Sequence, residues 1–306
     1  MHRELSIHNV TWHYIEKTSA KDIQYLAEHF KFHPLDLQDC YDVSQRPKID
    51  TYPSYLFLVF HFPYYDQKYR RIRAHELNVF VGKGYVITLS HEPIPLLAEY
   101  FQEVQEKSAK KPKHDKLKNT SGYMLYKILD LLFGNTARLL DTMSQLIIDV
   151  EEEVYSDNTK HAAKDLGIIR RNIMNLRRHT QPQVRMLGQL VALRTTFMPH
   201  TLSVYFDDVH DNLERMWSSI ETYRENIDGL HNTNESLINQ KTSEVVKLLT
   251  LISVGFLPLT LLSGIYGMNI EGLPFANHPG AFMLFFGVAL IFIGGLIHFS
   301  RRKDLI

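Results

Sequence analysis

One cysteine, Cys40, stands among 306 residues. A lone thiol excludes an internal disulfide framework and any centre that needs a Cys pair; a small buried side chain is its plainest role. Charge is also missing from one long stretch. Between Leu248 and Ser300 the sole charged residue is Glu271, whereas the first 247 residues hold 32 of the 34 acids and 31 of the 34 bases. The N-terminus, Met1-His2-Arg3-Glu4-Leu5, lacks the apolar core of a signal peptide, so the polar part is expected in the cytoplasm. HExxH, CxxC, nucleophile-elbow and nucleotide-binding patterns are absent, and no enzyme is expected. The basic stretch Lys107–Lys118 has no interleaved aromatics, which favours a solvated loop over nucleic-acid binding. The sixteen histidines show no metal-ligand spacing that stands out. His29 and His33 are four apart, but Pro34 breaks a helix there, and His278 reads as an ordinary exposed side chain.

What the charge-poor region contains is two apolar runs. Leu248–Tyr266 is 19 uncharged residues, which as a helix spans roughly 28 Å, close to the thickness of a bilayer's hydrocarbon core. Residues 281–299 form a second run of similar length, and only 14 residues, 267–280, lie between them. Two spans joined so tightly make a helical hairpin whose long ends share one side of the membrane. Lys241 and Lys247 precede the first run, Arg301, Arg302 and Lys303 follow the second, and the connecting loop has no Lys or Arg. Both termini are therefore expected in the cytoplasm, with the loop outside. Two helices do not enclose a water-filled path, so a transport role requires several copies around a shared axis.

Small and polar residues of the first run fall on one helical stripe: Ser253, Thr260 and Gly264, with Leu257 between. The stripe extends back through Leu249, Val246 and Ser243. It suits either a pore face, with an apolar narrowing at Val246, Leu249 and Leu257 that gates by dewetting, or a close helix-packing face. Pro258 frees a backbone carbonyl within the run.

The polar part mixes strand and helix signals up to about residue 110. Strands are expected at Leu5–Ile15, Tyr55–Pro63, Ile72–Val81 and Tyr85–Leu89, the last two joined through Gly82-Lys83-Gly84, and helices at Ala20–Phe30 and Ile94–Glu106. From Ser121 to Tyr155 apolar residues recur at spacings of three and four, as for one amphipathic helix. Ser156-Asp157-Asn158-Thr159 reads as a turn, a second helix covers 160–196, and Pro199 marks a break. A third helical pattern starts near Thr201 and runs without a clear stop to Gly264, about 95 Å if continuous. The expected organisation is an α+β cytoplasmic domain (1–110), a helical stalk (111–247) and a transmembrane hairpin with a basic tail (248–306).

The segment Pro258–Asn269, PLTLLSGIYGMN, resembles the signature of the CorA-type divalent metal-ion transporters, a two-transmembrane family. Tyr205-Phe206-Asp207-Asp208-Val209, Ile220-Glu221 and Lys247–Thr250 resemble the same family's stalk helix. His33-Pro34-Leu35 with Asp39, and Arg46-Pro47-Lys48, resemble its N-terminal domain. Gly-Met-Asn placed directly after a span, in a two-span C-terminus, is a specific signal where a lone tripeptide is not. The resemblance implies a homopentameric funnel in the plasma (inner) membrane, carrying Mg2+, with Co2+ and Ni2+ as companions; a related branch handles Zn2+.

It further implies a selectivity filter at Gly267, Met268 and Asn269 and cation attraction at Glu271. It places Ser253, Leu257, Thr260 and Gly264 along the pore and a hydrophobic gate at Val246 and Leu249. A divalent cation is the expected substrate, and also a regulator held by Asp208 with Glu92 as the candidate partner carboxylate. The implied partners are identical subunits, lipid and metal ions, not nucleic acid. The sequence departs from the family at Ser243, where Asn is common, and at Val246 and Leu257, where Met is common. It also lacks the second acid after Pro274, which leaves Mg2+ against Zn2+ open, as are proton coupling and a non-conducting anchored sensor or scaffold.

Overall fold

The computed structural model describes residues 2–42, 46–108, 119–156, 159–193, 197, 199–269 and 279–302. The chain divides into two compact units, residues 1–231 and 232–306. The basic segment 109–118, the Asp157-Asn158 turn, Glu271, His278 and Lys303 lie outside the described residues.

The first unit is built on a six-stranded sheet: β1 (His2–Ile7), β2 (Val10–Glu16), β3 (Lys48–Thr51), β4 (Tyr55–Asp66), β5 (Arg71–Gly82) and β6 (Tyr85–Ser90). Their spatial order is β1-β2-β6-β5-β4-β3. The β2–β6 pair is parallel, and the other neighbours are antiparallel. The expected single strand Leu5–Ile15 is in fact two, because the chain reverses at His8, whose φ of 53° is left-handed. β3, at four residues, carries too short a pattern to read, and it is paired to β4. The β5–β6 turn falls where Gly84 adopts a φ of 83°, which a side chain would oppose.

Both faces of the sheet are covered, which is why β4 reads YLFLVFHFP rather than alternating with polar residues. On one face Tyr55, Phe57 and Val59 join Ile15, Phe80, Ile87 and Leu89 beneath Leu26 of α1 (Ala20–His29) and Leu37 and Cys40 of α2 (Pro34–Tyr41). α1 ends at His29, already before Pro34, and Pro34 starts α2: it occupies the first turn, and the His33 ring accepts the Leu35 N–H at 3.2 Å. Trp12 and Tyr14 of β2 lie against Phe101 of α3 (Pro95–Ser108), and Trp12 Nε1 donates to Thr88 Oγ1 at 2.9 Å. Phe60 and Phe62 meet Phe133 of α4 (Ser121–Tyr155). α5 (Thr159–Ala192) is pinned to the sheet by Asn172, whose side chain accepts from Ile72 N at 2.9 Å and donates to Arg70 O at 3.2 Å.

After a 3-10 turn at His200–Leu202, α6 runs unbroken from Ser203 to Tyr266, 64 residues. In the first unit its buried residues Phe206, Val209, Leu213, Met216, Ile220 and Ile227 keep to one face. Arg177 Nε donates to Glu221 Oε1 at 2.7 Å and Arg170 forms an ion pair with Asp228, Nε to Oδ1 3.0 Å, fastening α5 to α6 along that length. The second unit contains the rest of α6 and α7 (Pro279–Arg302).

Candidate functional site

Within the second unit, α7 packs on a defined face of α6. Leu251, Gly255 and Leu259 of α6 line an apolar cleft with Leu290 and Ile293 of α7. A Cβ on Gly255 would meet Ile293 Cγ2 at 3.6 Å, and the Tyr266 and Phe285 rings lie 6.3 Å apart. At about 100° per residue, the α6 positions against α7, Leu251, Ile252, Gly255, Phe256, Leu259 and Tyr266, are centred roughly 130° from the stripe Val246, Leu249, Ser253, Leu257, Thr260 and Gly264. The stripe is thus the side of α6 that α7 leaves bare. All six of its residues are exposed in the single chain, Leu249 and Leu257 by 63% and 66%. The close helix-packing reading therefore does not apply to the pairing with α7.

The hydroxyls on the stripe are already committed as donors. Ser253 Oγ donates to Leu249 O at 2.9 Å and Thr260 Oγ1 to Phe256 O at 3.0 Å. What each turns outward is its lone pairs. Pro258 lies inside the helix and has no N–H for the fourth carbonyl before it, that of Val254.

At the end of α6, Gly267 N donates to Ser263 O at 2.9 Å and Met268 N to Ile265 O at 3.3 Å. A Cβ at Gly267 would stand 2.8 Å from Ser263 O, a contact backbone does not yield, so glycine is required there. Met268 and Asn269 follow, both exposed.

In the first unit, Asp208 is exposed on α6 and accepts from Asn212 Nδ2 at 3.5 Å. Glu92 is exposed after β6, 3.9 Å from His75 Nδ1. Among the described residues neither belongs to a group of three or more ligating side chains. Such groups do occur at His2, Glu4 and His13, and at His210, Asp211 and Glu214. The first was missed in the sequence because His2 and Glu4 precede the expected strand Leu5–Ile15, and only the reversal after Ile7 brings them beside His13.

Among the described residues α6 is long and apolar enough to cross a membrane, and Met283–Gly295 of α7 is a shorter apolar stretch. The family of CorA-like Mg2+ transporter proteins matches residues 8–302. The chain belongs to that family. As a CorA-family member it is a membrane transporter of divalent metal ions and not an enzyme. It is 28% identical over 297 residues to the cobalt/magnesium transport protein CorA of Thermotoga maritima, covering 96% of this chain and 83% of that one. Over 227 residues it is 22% identical to the zinc transport protein ZntB of Pectobacterium atrosepticum, covering 74% and 67% of the two chains. The fold matches the complete structure of the CorA magnesium transporter from Methanocaldococcus jannaschii with a TM-score of 0.80 at 18% identity, over 96% of this chain and 90% of that one. The CorA fold is thus an N-terminal α/β domain, one long helix and a shorter C-terminal helix, as the sequence led us to expect.

Proposed function

We propose that the chain assembles as a homopentamer in the plasma (inner) membrane and conducts Mg2+ into the cytoplasm along the bare stripe of α6. In this reading residues 248–266 are the pore helix, 267–280 the outer loop and 281–299 the second span, with both termini cytoplasmic. Residues 1–110 and 111–247 form the cytoplasmic domain and stalk. The observation that carries it is the opposition on α6 between the face packed by α7 and the face holding Ser253, Leu257, Thr260 and Gly264.

The chemistry suits a hydrated ion. Mg2+ sheds water reluctantly, and the protons of its water shell point outward. Ser253 and Thr260 oppose them with lone pairs, and a ring of Asn269 amide oxygens, one per subunit beside Gly267 and Met268, accepts from the same shell. Glu271 adds negative charge near the entrance. Val246 and Leu249 form the hydrophobic gate. A divalent ion moving through 100 mV gains about 4.6 kcal/mol, twice the single-charge value, so uptake driven by membrane potential needs no nucleotide. Cytoplasmic Mg2+ held between subunits by Asp208 and Glu92 closes the pore.

A second reading, Zn2+ transport with or without proton coupling, draws support from the zinc-transporting relative and from the missing acid after Pro274. Flux of Mg2+, Co2+, Ni2+ and Zn2+ into proteoliposomes, at inside-negative potential with and without a pH gradient, separates the two. Potential-driven Mg2+ entry that Asn269→Ala abolishes without loss of assembly supports the first reading; zinc flux that follows the pH gradient, or undiminished Mg2+ flux in Asn269→Ala, overturns it.

A further inference from the structure

The edge hairpin β1–β2 carries a group of side chains that ion conduction does not use. His2 and Glu4 are two apart on β1 and share a face of the sheet. Glu4 is directly opposite His13 on β2. Three ligating atoms converge there. His2 Nε2 and His13 Nδ1 are 3.3 Å apart, His2 Nε2 and Glu4 Oε1 3.4 Å, and His13 Nδ1 and Glu4 Oε1 3.3 Å. For a tetrahedral ion with ligands at the usual 2.0–2.1 Å, the edges between ligand atoms are about 3.3–3.4 Å. The triangle therefore already has the dimensions of one face of that tetrahedron.

We infer that His2, Glu4 and His13 form a binding site for a borderline divalent transition-metal ion of the Zn2+ or Co2+ class. Two imidazoles and one carboxylate suit that class, whereas Mg2+ favours an all-oxygen shell. α1 supports the ligands from the side. The Tyr25 hydroxyl donates to Glu4 Oε1 at 3.1 Å, the Tyr25 ring stands edge-on to His2 at 4.8 Å, and the Phe30 ring is edge-on to His13 at 5.5 Å. Such partners hold ligating groups in orientation. His13 is buried, while the Glu4 side chain is 49% exposed, so the fourth position opens toward Glu4 and takes water. The site stands on the geometry of this hairpin alone, independent of which ion the pore conducts.

The alternative use of these atoms is a hydrogen-bonded cluster sharing protons, and the test separates the two. Tag-free full-length protein in detergent is titrated with Co2+ and followed by its visible d–d absorption. Wild type is expected to bind one Co2+ per chain with the strong absorption of a four- or five-coordinate ion, displaced by Zn2+ and untouched by excess Mg2+. His2→Ala and Glu4→Gln lie at partly exposed positions and should leave the far-UV circular dichroism unchanged. Each should weaken binding at least by the roughly 10–100-fold that loss of a supporting partner costs. Asn269→Ala should keep the signal, which separates this site from the proposed filter. Equal Co2+ affinity in wild type, His2→Ala and Glu4→Gln, or only the weak spectrum of six-coordinate aqueous Co2+ in wild type, overturns the assignment.

Discussion

Gly255 of α6 lies beneath Ile293 of α7, with 3.6 Å between its missing Cβ and Ile293 Cγ2. That is ordinary van der Waals distance, so one methyl fits and an aromatic ring does not. Gly255→Ala is expected to keep or raise the thermal stability of the detergent-solubilised protein, helped by the better helix propensity of alanine, about 1 kcal/mol in favour. Gly255→Phe forces α7 away and should lower both stability and metal uptake. Melting curves read alongside uptake assays check the pair.

Leu249 is proposed as an apolar narrowing, and it projects bare from α6. A ring of such side chains blocks ions by excluding water. Leu249→Ser should hydrate that level and raise resting Mg2+ leak into liposomes, while Leu249→Ile leaves it near wild type. A leak unchanged by the serine would move the gate elsewhere.

His61 Nδ1 of β4 and His179 Nδ1 of α5 lie 3.0 Å apart, with Glu76 Oε2 at 3.7 Å from the far side of His61. Burial first, then the charges of His61 and Arg178, push His179 down from 6.5 to about 4. Between those values the unfolded chain takes up a proton that the folded one refuses, so stability is full above pH 6.5 and falls as pH drops toward 4. His179→Gln should flatten that part of the melting-temperature profile. A slope identical to wild type would place the acid sensitivity on other groups.

Asp36 is a buried carboxylate on α2 that accepts from Tyr55 Oη at 2.8 Å and Tyr52 Oη at 3.1 Å; burial holds its pKa above the usual range. The same Tyr55 oxygen accepts the His33 N–H at 2.8 Å. Tyr55→Phe removes both bonds without changing shape and should cost about 1–3 kcal/mol of stability, the price of unsatisfied buried polar groups. Denaturant unfolding would measure it, with Tyr52→Phe expected to cost less because the His33 N–H donates to Tyr55 and not to Tyr52.

The long helices were legible because their apolar spacing persists over many turns: α4, α5 and α6 all fall where three-and-four periodicity was read. Leu140 shows the limit, since the structure buries it more completely than its neighbour Leu139, a choice that two adjacent leucines do not reveal by spacing. The β1–β2 reversal falls on His8-Asn9; Asn9 favours turns, but apolar positions continuing on either side made one strand the stronger reading. α2 was hidden behind Pro34, whose breaker role masked its starter role. On α6 the stripe itself could be read from spacing, but which side α7 covers depends on Gly255 and Ile293 meeting, and no periodicity in one helix records its neighbour's choice of face.

The parallel pairing of β2 with β6 joins Thr11 to Tyr85 and Glu16 to Ser90. On the ribosome, the β1–β2 hairpin therefore waits with an unsatisfied edge until some seventy further residues have emerged. During that interval β2 has β1 on one side and nothing yet on the β6 side, and an exposed strand edge of this kind invites pairing with a neighbouring nascent chain. An ion clasped across His2, Glu4 and His13 would brace the hairpin through this delay, so metal supply during translation would influence the yield of folded protein as well as its later work.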